Sequence, residues 1–287
     1  MTKPKILIAG GDLRQLYCAQ SLAGEFSIKI TGFDRTAAEA FPELKYAELS
    51  ENKSFDCAVL PIPALNHEGY IHTPFSSEIL TADAVDEFLS ENGKIFAGRA
   101  DDRLRRMLPH REITDYVNRE DFCLRNAVPT AEGAVQLALE ELPVTLNGSE
   151  VLIVGMGRIG CALAEILKGF GANVTAAVHN PRGAAKARLH GISPIPTKRL
   201  NGNYRLVFNT VPKMIFDREM LSRFSPSTLF IDLASHPGGI DIDAASELGI
   251  KTVTARGLPG KTSPVTAGEI IGSTIKAMIN EGSDDVE

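Results

Sequence analysis

A glycine pattern, G-x-G-x-x-G, lies between an apolar strand and an apolar helix, and it constrains this chain more than any other feature. Gly155, Gly157 and Gly160 follow the strand-like run 151–154. In a βαβ unit the first glycine permits a tight turn, the second lets backbone approach a pyrophosphate, and the third lets helix pack on strand. The pattern therefore predicts a dinucleotide-binding Rossmann unit. The alternative is a glycine-rich turn without a ligand.

Further cofactor contacts are predicted at the strand ends around this fingerprint, because the carboxyl ends of parallel strands share one edge of a sheet. They are Arg158 and Ile159 inside the pattern, His179, Asn180 and Arg182 after the second strand, Thr210, Val211 and Pro212 after a third, and Leu233, Ala234 and Ser235 after a fourth.

The stretch after the second strand bears on which nicotinamide cofactor is used. An NAD site usually offers an acid there for the ribose 2′-OH, but no Asp or Glu occurs between Glu165 and Asp217. Arg182, Lys186 and Arg188 lie there instead, and a cationic pocket suits a 2′-phosphate. We therefore predict NADP rather than NAD. The alternative is that these side chains only solvate an exposed helix, which we prefer for Lys186 and Arg188.

Composition limits the class of protein. The 287 residues are enough for two domains, and a net charge of -6 without a basic run argues against a nucleic-acid partner. A strand begins almost at once, which leaves no room for a signal peptide, and no apolar run approaches the ~20 residues of a membrane span. Four scattered cysteines and six histidines without ligand spacing predict a cytoplasmic protein with reduced thiols and no metal.

Strand and helix patterns alternate along the chain, which predicts an α/β protein of two domains. The predicted parts are an N-terminal doubly wound α/β substrate domain over 1–127, a bridging helix over 128–143, a C-terminal Rossmann domain over 144–265, a final helix over 266–280, and a polar tail over 281–287. Pro129 and Thr130 suit the start of the bridging helix.

The start of the chain looks like a second nucleotide-binding half but lacks the three-glycine spacing. Asp12 follows Gly10 and Gly11 and would put a negative charge where a pyrophosphate should lie. We interpret Asp12 as the N-cap of the first helix. The alternative is that Asp12 and Arg14 face a cleft between the domains, where Arg14 would pair with a substrate carboxylate in a fork geometry.

Several loop motifs resemble one known family over nearly the whole length. They are Gly10-Gly11-Asp12-x-Arg14-Gln15, Leu60-Pro61-Ile62-Pro63, Phe75-Ser76-Ser77-Glu78, Asn126-x-x-Pro129-Thr130-x-Glu132-Gly133, the fingerprint, Asp232-Leu233-Ala234-Ser235, Pro237-Gly238-Gly239, Gly257-Leu258-Pro259-Gly260 and Thr266-Ala267-Gly268-Glu269-Ile270-Ile271. In these the chain resembles the A subunit of dipicolinate synthase from spore-forming bacteria.

The resemblance implies two domains with a cleft between them and a final helix over 266–280 that crosses back and packs on the first domain, as in methylenetetrahydrofolate and 2-hydroxyacid dehydrogenases. It implies an oxidoreductase acting on CH–CH donors, which oxidises a dihydrodipicolinate-type compound to dipicolinate (pyridine-2,6-dicarboxylate) with NADP or NAD in sporulation. A flavoprotein-like B subunit of the same synthase would be the partner, and a homo-oligomer is expected. The chain departs from the family pattern at His236, where Arg is usual, and at Val265, where Lys is usual. Loss of an Arg carboxylate clamp leaves a different substrate open.

The predicted reaction must hold two carboxylates and remove one proton. His236 is the candidate base, with a surface or capping histidine as the alternative. Arg14, Lys261 and the hydroxyls of Ser76 and Ser77 are the candidate carboxylate ligands. Asn126 and Thr130, at the start of the bridging helix, are candidates because free helix amides bind anions, although Asn126 would serve equally as a plain cap.

Two other functions stay open. One is a different dehydrogenase on the same architecture, acting on a 2-hydroxyacid or a folate; the folate type would need a Tyr-x-x-x-Lys, which the sequence lacks. The other is a cofactor-binding protein without chemistry of its own, working as a sensor or scaffold.

Overall fold

The computed structural model of the chain describes residues 3–48, 51–200 and 202–284, which divide between two compact units. The first unit comprises residues up to Asn126 together with those from Ser263 onward, and the second is Ala127–Thr262. Each unit is built on a six-stranded parallel sheet accompanied by helices. The predicted α/β class with two domains is therefore confirmed.

The strands follow the chain in the order of their numbers. They are β1 (Lys5–Ala9), β2 (Ser27–Thr31), β3 (Lys45–Tyr46), β4 (Phe55–Val59), β5 (Leu89–Ala97), β6 (Ile113–Asp115), β7 (Glu150–Val154), β8 (Asn173–Val178), β9 (Ser193–Pro196), β10 (Leu206–Asn209), β11 (Leu229–Asp232) and β12 (Thr252–Thr254). The central strands read as continuous apolar runs because both faces of a parallel sheet are covered.

The helices are numbered in the same way. They are α1 (Leu13–Leu22), α2 (Arg35–Ala38), α3 (Ala82–Phe88), α4 (Asp102–Met107), α5 (Glu120–Glu141), α6 (Arg158–Gly169), α7 (Pro181–Leu189), α8 (Arg218–Leu221), α9 (Ile242–Glu247), α10 (Leu258–Thr262) and α11 (Pro264–Asp284). Single 3-10 turns cover Tyr116–Asn118 and Thr197–Arg199.

Both sheets have the same strand order. The first runs β3-β2-β1-β4-β5-β6 and the second β12-β11-β10-β7-β8-β9. In each, the order reverses next to the first strand of the unit, between β1 and β4 and between β7 and β10. This doubly wound arrangement places a crevice at the carboxyl ends of those two strands, where such sheets bind ligands.

The last helix packs on the first, as predicted, because two glycines let the helix axes approach closely. A Cβ at Gly268 would lie 2.6 Å from the carbonyl oxygen of Arg14, and a Cβ at Gly272 would lie 2.1 Å from Ser21 Oγ. The helix α11 is longer than predicted and includes residues 281–284, which the sequence assigns to a polar tail. Residues 285–287 of that tail lie outside the described part of the chain.

The predicted bridging helix over 128–143 is wrong at its start. The helix α5 begins at Glu120 and contains Pro129 in its interior, where proline donates no hydrogen bond to the preceding turn. Buried side chains on both sides of the proline, from Phe122 to Ala138, hold the helix together despite that loss. Tertiary packing thus overrides a local signal for a helix start.

Candidate functional site

The fingerprint lies at the switch point of the second sheet. The turn that follows β7 is held by a hydrogen bond from Gly155 N to the carbonyl of Ala177 at 2.9 Å, and α6 begins directly after Gly157, its N-cap. The free amides at the start of α6 therefore lie at the crevice between β7 and β10. A helix N-terminus in this position favours the pyrophosphate of a dinucleotide.

Glycine is needed at each of the three fingerprint positions for a different physical reason. Gly155 has a φ of +93°, and a Cβ there would lie 2.6 Å from Thr210 Oγ1. At Gly160 a Cβ would lie 2.0 Å from the carbonyl oxygen of Gly155, so any side chain would separate helix from strand. A Cβ at Gly157 would meet no atom within 4 Å. The open space above Gly157 fits a group that approaches the backbone closely, as a pyrophosphate does.

The two residues after Gly157 differ in their surroundings. Arg158 is exposed at the first position of α6, whereas Ile159 packs against the core of the second unit. Only Arg158 therefore presents its side chain to solvent beside the helix start.

The end of β8 carries the groups that would meet the adenosine ribose. Asn180 caps α7, since its Oδ1 accepts from Gly183 N at 2.8 Å, and its amide nitrogen contacts His179 Nε2 at 3.0 Å. Arg182 is exposed, and within the described residues its guanidinium has no hydrogen bond or ion pair. The strand end thus offers a cation and no carboxylate.

The turn after β10 is tied to the fingerprint strand by a hydroxyl. Thr210 Oγ1 donates to the carbonyl oxygen of Val154 at 2.8 Å, so this hydroxyl is used within the chain. Val211 is half-buried and Pro212 is exposed at the same edge. After β11, Leu233 and Ala234 are buried, and only Ser235 of that predicted trio is exposed.

A buried pair, Asn209 and Asp232, joins these two turns, and the predicted site does not include it. Asp232 Oδ1 accepts from Asn209 Nδ2 at 2.8 Å and from Ala234 N at 3.1 Å, while Oδ2 accepts from Gly239 N at 3.0 Å. An acid as the last residue of a buried apolar strand, followed by Pro-Gly-Gly, is the signal that could have found it. The pair fixes the loop that carries His236.

His236 and Lys261 are both exposed. His236 lies on the loop after β11, and no other described residue hydrogen-bonds to its ring. Lys261 belongs to the short helix α10. Each side chain is accessible to a ligand, and neither is held in place by a partner in the described chain.

Asn126 and Thr130 do not lie where the sequence predicts. Both are inside α5, well past its start at Glu120, so their backbone amides are not the free amides of a helix N-terminus. An anion site built from free helix amides at this position, and the alternative of Asn126 as a cap, are therefore wrong, whereas a substrate contact through the two side chains stays a prediction. Both residues have interactions within the chain.

Arg14 and Asp12 form a pair in the first unit. Asp12 caps α1, as predicted, by accepting from Arg14 N, and its carboxylate also takes the fork of the guanidinium, with Nε to Oδ1 at 2.9 Å and Nη2 to Oδ2 at 2.8 Å. Nη2 donates further to the carbonyl of Ile62. The predicted fork pairing with a substrate is therefore wrong, because that face of Arg14 is already occupied.

The hydroxyls of Ser76 and Ser77 are also engaged. Ser76 Oγ and Ser77 Oγ donate to Asp34 Oδ1 at 3.4 and 3.3 Å, and Ser77 N donates to the same carboxylate. A ligand carboxylate at Ser77 would face the charge of Asp34. The two serines hold the loop against the end of β2.

His72 is a titratable group outside the predicted site. It is half-buried near Asp12 and Arg14, and its carbonyl accepts from Gly11 N at 2.8 Å. Burial lowers the pKa of His72, and the opposing charge of Asp12 does not restore it. The imidazole is therefore neutral at neutral pH.

The described residues contain neither a membrane-spanning helix nor a cluster of metal ligands. None of their helices is long and apolar enough to cross a membrane. They hold no group of three His, Cys, Asp or Glu side chains that could bind a metal ion.

Comparisons with known proteins bear on both units. A sequence model of the N-terminal domain of the dipicolinate synthase A subunit matches residues 5–116. A second, described as the NAD-binding domain of D-isomer specific 2-hydroxyacid dehydrogenases, matches residues 125–240. The chain is 32% identical over 291 residues to the A subunit of dipicolinate synthase of Bacillus subtilis (strain 168), which covers 98% of this chain and 97% of that protein.

Solved structures agree with the sequence comparison. The crystal structure of the dipicolinate synthase A chain from Bacillus subtilis superposes with a TM-score of 0.88 at 32% identity, covering 99% of this chain and 98% of that one. The A subunit from Bacillus halodurans gives 0.87 at 28% identity, with 96% and 98% covered. A transhydrogenase from Sinorhizobium meliloti, at 0.68 and 13% identity over 96% and 94%, shares the fold.

Proposed function

Because the chain belongs to the family of dipicolinate synthase A subunits, we propose that it oxidises a dihydrodipicolinate-type cyclic dicarboxylate to dipicolinate, with NADP as hydride acceptor. One observation carries the cofactor part of the proposal. The open space above Gly157, at the switch point and beside the start of α6, fits a dinucleotide pyrophosphate.

The reaction removes a hydride from one ring atom and a proton from its neighbour. The bound nicotinamide would accept the hydride, and the chain must supply the base. We assign removal of the proton to His236, which is exposed at the carboxyl end of β11. Imidazole is the side chain best suited to general base catalysis near neutral pH. The gain of aromaticity drives the step.

A substitution tests this assignment. His236→Asn should lower kcat by about 100-fold, the usual effect of losing a general base, while leaving the affinity for NADP unchanged. His190→Asn is the control, since His190 is a histidine of the same unit that pairs with Glu165. Unchanged kcat in His236→Asn would remove this residue from the chemistry.

The substrate's carboxylates need cationic or amide donors, and within the second unit we assign this role to Lys261. Lys261 is exposed and unpaired within the described chain. Arg14 retains Nη1, for which the described residues offer no partner. The adjacent Gln15 is 1% exposed, and the described chain offers its amide no hydrogen-bond partner. Two groups with unused hydrogen bonds in the first turn of α1 support a polar ligand there.

The choice of NADP is supported by Arg182, the exposed cation at the start of α7. Arg182→Ala should weaken NADP binding by about tenfold or more and leave NAD binding unchanged, because a charge-assisted bond to the 2′-phosphate is lost. Arg188→Ala, in the same helix, is the matched control and should change neither affinity. Tighter binding of NAD than NADP by the unmodified chain would refute the preference.

The decisive experiment uses the purified chain with NADP and enzymatically prepared dihydrodipicolinate, alone and with the flavoprotein-like B subunit. We expect dipicolinate absorbance and NADPH to appear together. Absence of product under both conditions would reject the proposed reaction. A complex with the flavoprotein that forms without turnover would instead favour a cofactor-binding scaffold, and turnover of a 2-hydroxyacid would favour that class of dehydrogenase.

A further inference from the structure

A buried acid without a cationic partner lies beneath the turns of the second unit. Asp232 is 3% exposed, and both its oxygens accept only N–H groups, from Asn209, Ala234 and Gly239. Oxygens that only accept are the pattern of an ionised carboxylate. Within the described residues, no Lys, Arg or His side chain forms an ion pair with it. Its charge is balanced by hydrogen bonds alone.

The same carboxylate organises two turns. Asn209, which donates to it, also holds the turn after β10, because Oδ1 accepts from Val211 N at 3.2 Å and Nδ2 donates to Val211 O at 3.1 Å. The loop after β11 passes directly over the acid, since a Cβ at Gly238 would lie 2.7 Å from Asp232 Oδ2. Removing this acid would release both turns together.

The position in the sheet indicates which half of the cofactor these turns meet. A dinucleotide-binding sheet consists of two mononucleotide halves on either side of the switch point, and the end of the strand corresponding to β8 meets the adenosine ribose. The strands β10, β11 and β12 therefore form the nicotinamide half. Asp232 ends β11, so its charge belongs to that half.

We propose that Asp232 is a positioning residue for the nicotinamide half of the site, and that its buried negative charge favours the oxidised cofactor over the reduced one. The oxidised nicotinamide ring is positively charged and the reduced ring is neutral. A buried charge is poorly screened by solvent and salt, so it acts on the ring across the loop. The inference rests on the nicotinamide part of the proposed function and not on the substrate.

The test measures cofactor affinity without any substrate. Asp232→Asn keeps the size of the side chain and removes its charge. In the full chain, fluorescence titration with NADP⁺ and NADPH should show that the ratio of their Kd values, oxidised over reduced, rises about tenfold. NAD⁺ and NADH are titrated in parallel. The measurement therefore remains valid if the choice of NADP, or of dihydrodipicolinate, is wrong.

Two variants separate charge from position. Asp217→Asn removes an exposed acid that caps α8 by accepting from Met220 N at 2.8 Å, and since Asn caps equally well the ratio should not change. Gly238→Ala keeps the charge of Asp232 but displaces the loop, because this glycine also has a φ of +92°. It should weaken both oxidation states by the same factor.

The proposal is overturned if Asp232→Asn changes the two affinities equally or changes neither. Should that variant fail to fold, the unmodified chain still provides a test. It should bind the oxidised cofactor at least as tightly as the reduced one, and tighter binding of the reduced cofactor would overturn the proposal.

Discussion

Two helices of the first unit begin with the same arrangement, an aspartate cap followed two residues later by an arginine. In α1 the pair is Asp12 and Arg14, with side chains 27% and 13% exposed; in α4 it is Asp101 and Arg103, which are 41% and 45% exposed. Burial would raise the pKa of Asp12, but its hydrogen bonds and charge interaction with Arg14 together lower it below the ordinary value. The Asp12 pair is therefore the less exposed of the two, and it alone has the fork geometry, since Asp101 accepts from Arg103 only at Nε.

This difference predicts the pH dependence of stability. Since the pKa of Asp12 is lower in the folded chain, its ion pair stabilises the fold above the unfolded value of about 3.9 and is lost as pH falls through the folded value. Asp12→Asn keeps the cap and should reduce the free energy of unfolding by about 1–2 kcal/mol at neutral pH. At about pH 3 the difference should shrink.

Urea denaturation of both proteins at the two pH values measures the effect. Asp101→Asn is the matched control and should cost no more than about 0.5 kcal/mol, because an exposed pair is screened by water. An equal loss at both pH values in Asp12→Asn would contradict the role of the ion pair.

Among the elements, β7 and α6 depend on one close contact for their geometry. Gly160 lies against the carbonyl of Gly155, whereas Gly157 faces open space. The two glycines are three residues apart in one motif, yet the first serves packing and the second leaves room for a ligand. Replacing Gly160 should therefore mainly reduce stability, whereas replacing Gly157 should mainly reduce cofactor affinity.

We expect Gly160→Ala to lower the free energy of unfolding by about 1–3 kcal/mol, since the new methyl forces the helix from the strand. Gly157→Ala should cost less than about 1 kcal/mol, the effect of a poorer cap, but weaken cofactor binding at least tenfold by intruding on the pyrophosphate. Thermal unfolding and cofactor titration test both. Full cofactor affinity in Gly157→Ala would argue against the pyrophosphate position.

Across the whole chain, two sheets of identical strand order differ in what lies at their switch points. In the first unit Asp12 caps α1 with a carboxylate, where a dinucleotide would bring its pyrophosphate. Asp34, after β2, accepts hydrogen bonds from Ser76 and Ser77, where an acid would otherwise hold a ribose. Groups of the protein itself thus occupy the places of a nucleotide in this sheet.

The chain should therefore bind one nicotinamide dinucleotide and not two. Isothermal titration calorimetry with NADP⁺ should give a stoichiometry of one per chain. Gly157→Ala provides the control, because it weakens the site of the second unit and leaves the first unit intact. Binding at undiminished affinity in that variant, or two sites in the unmodified chain, would contradict this prediction.

Features that depend on local spacing could be predicted from the sequence. The fingerprint glycines, the alternation of strand and helix and the cap at Asp12 belong to this group, because each is written in a few neighbouring residues or in a period of apolar positions. The return of the last helix is implied only by the resemblance to a known family. The small elements α2, β3, β9 and α10 are too short to show a period of apolar positions, so the sequence does not predict them.

The start of α5 and the use of several polar groups depend instead on tertiary contacts. Pro129 locally indicates a helix start, but buried contacts along Phe122–Ala138 stabilise a helix that continues on both sides of it. The fork of Arg14 is occupied by Asp12, and the hydroxyl of Ser77 by a carboxylate 43 residues away. Asp232 and Asn209 meet only because β10 and β11 are neighbours. A hydrogen-bonding partner distant in sequence leaves no local pattern, so these pairs are decided by the tertiary structure alone.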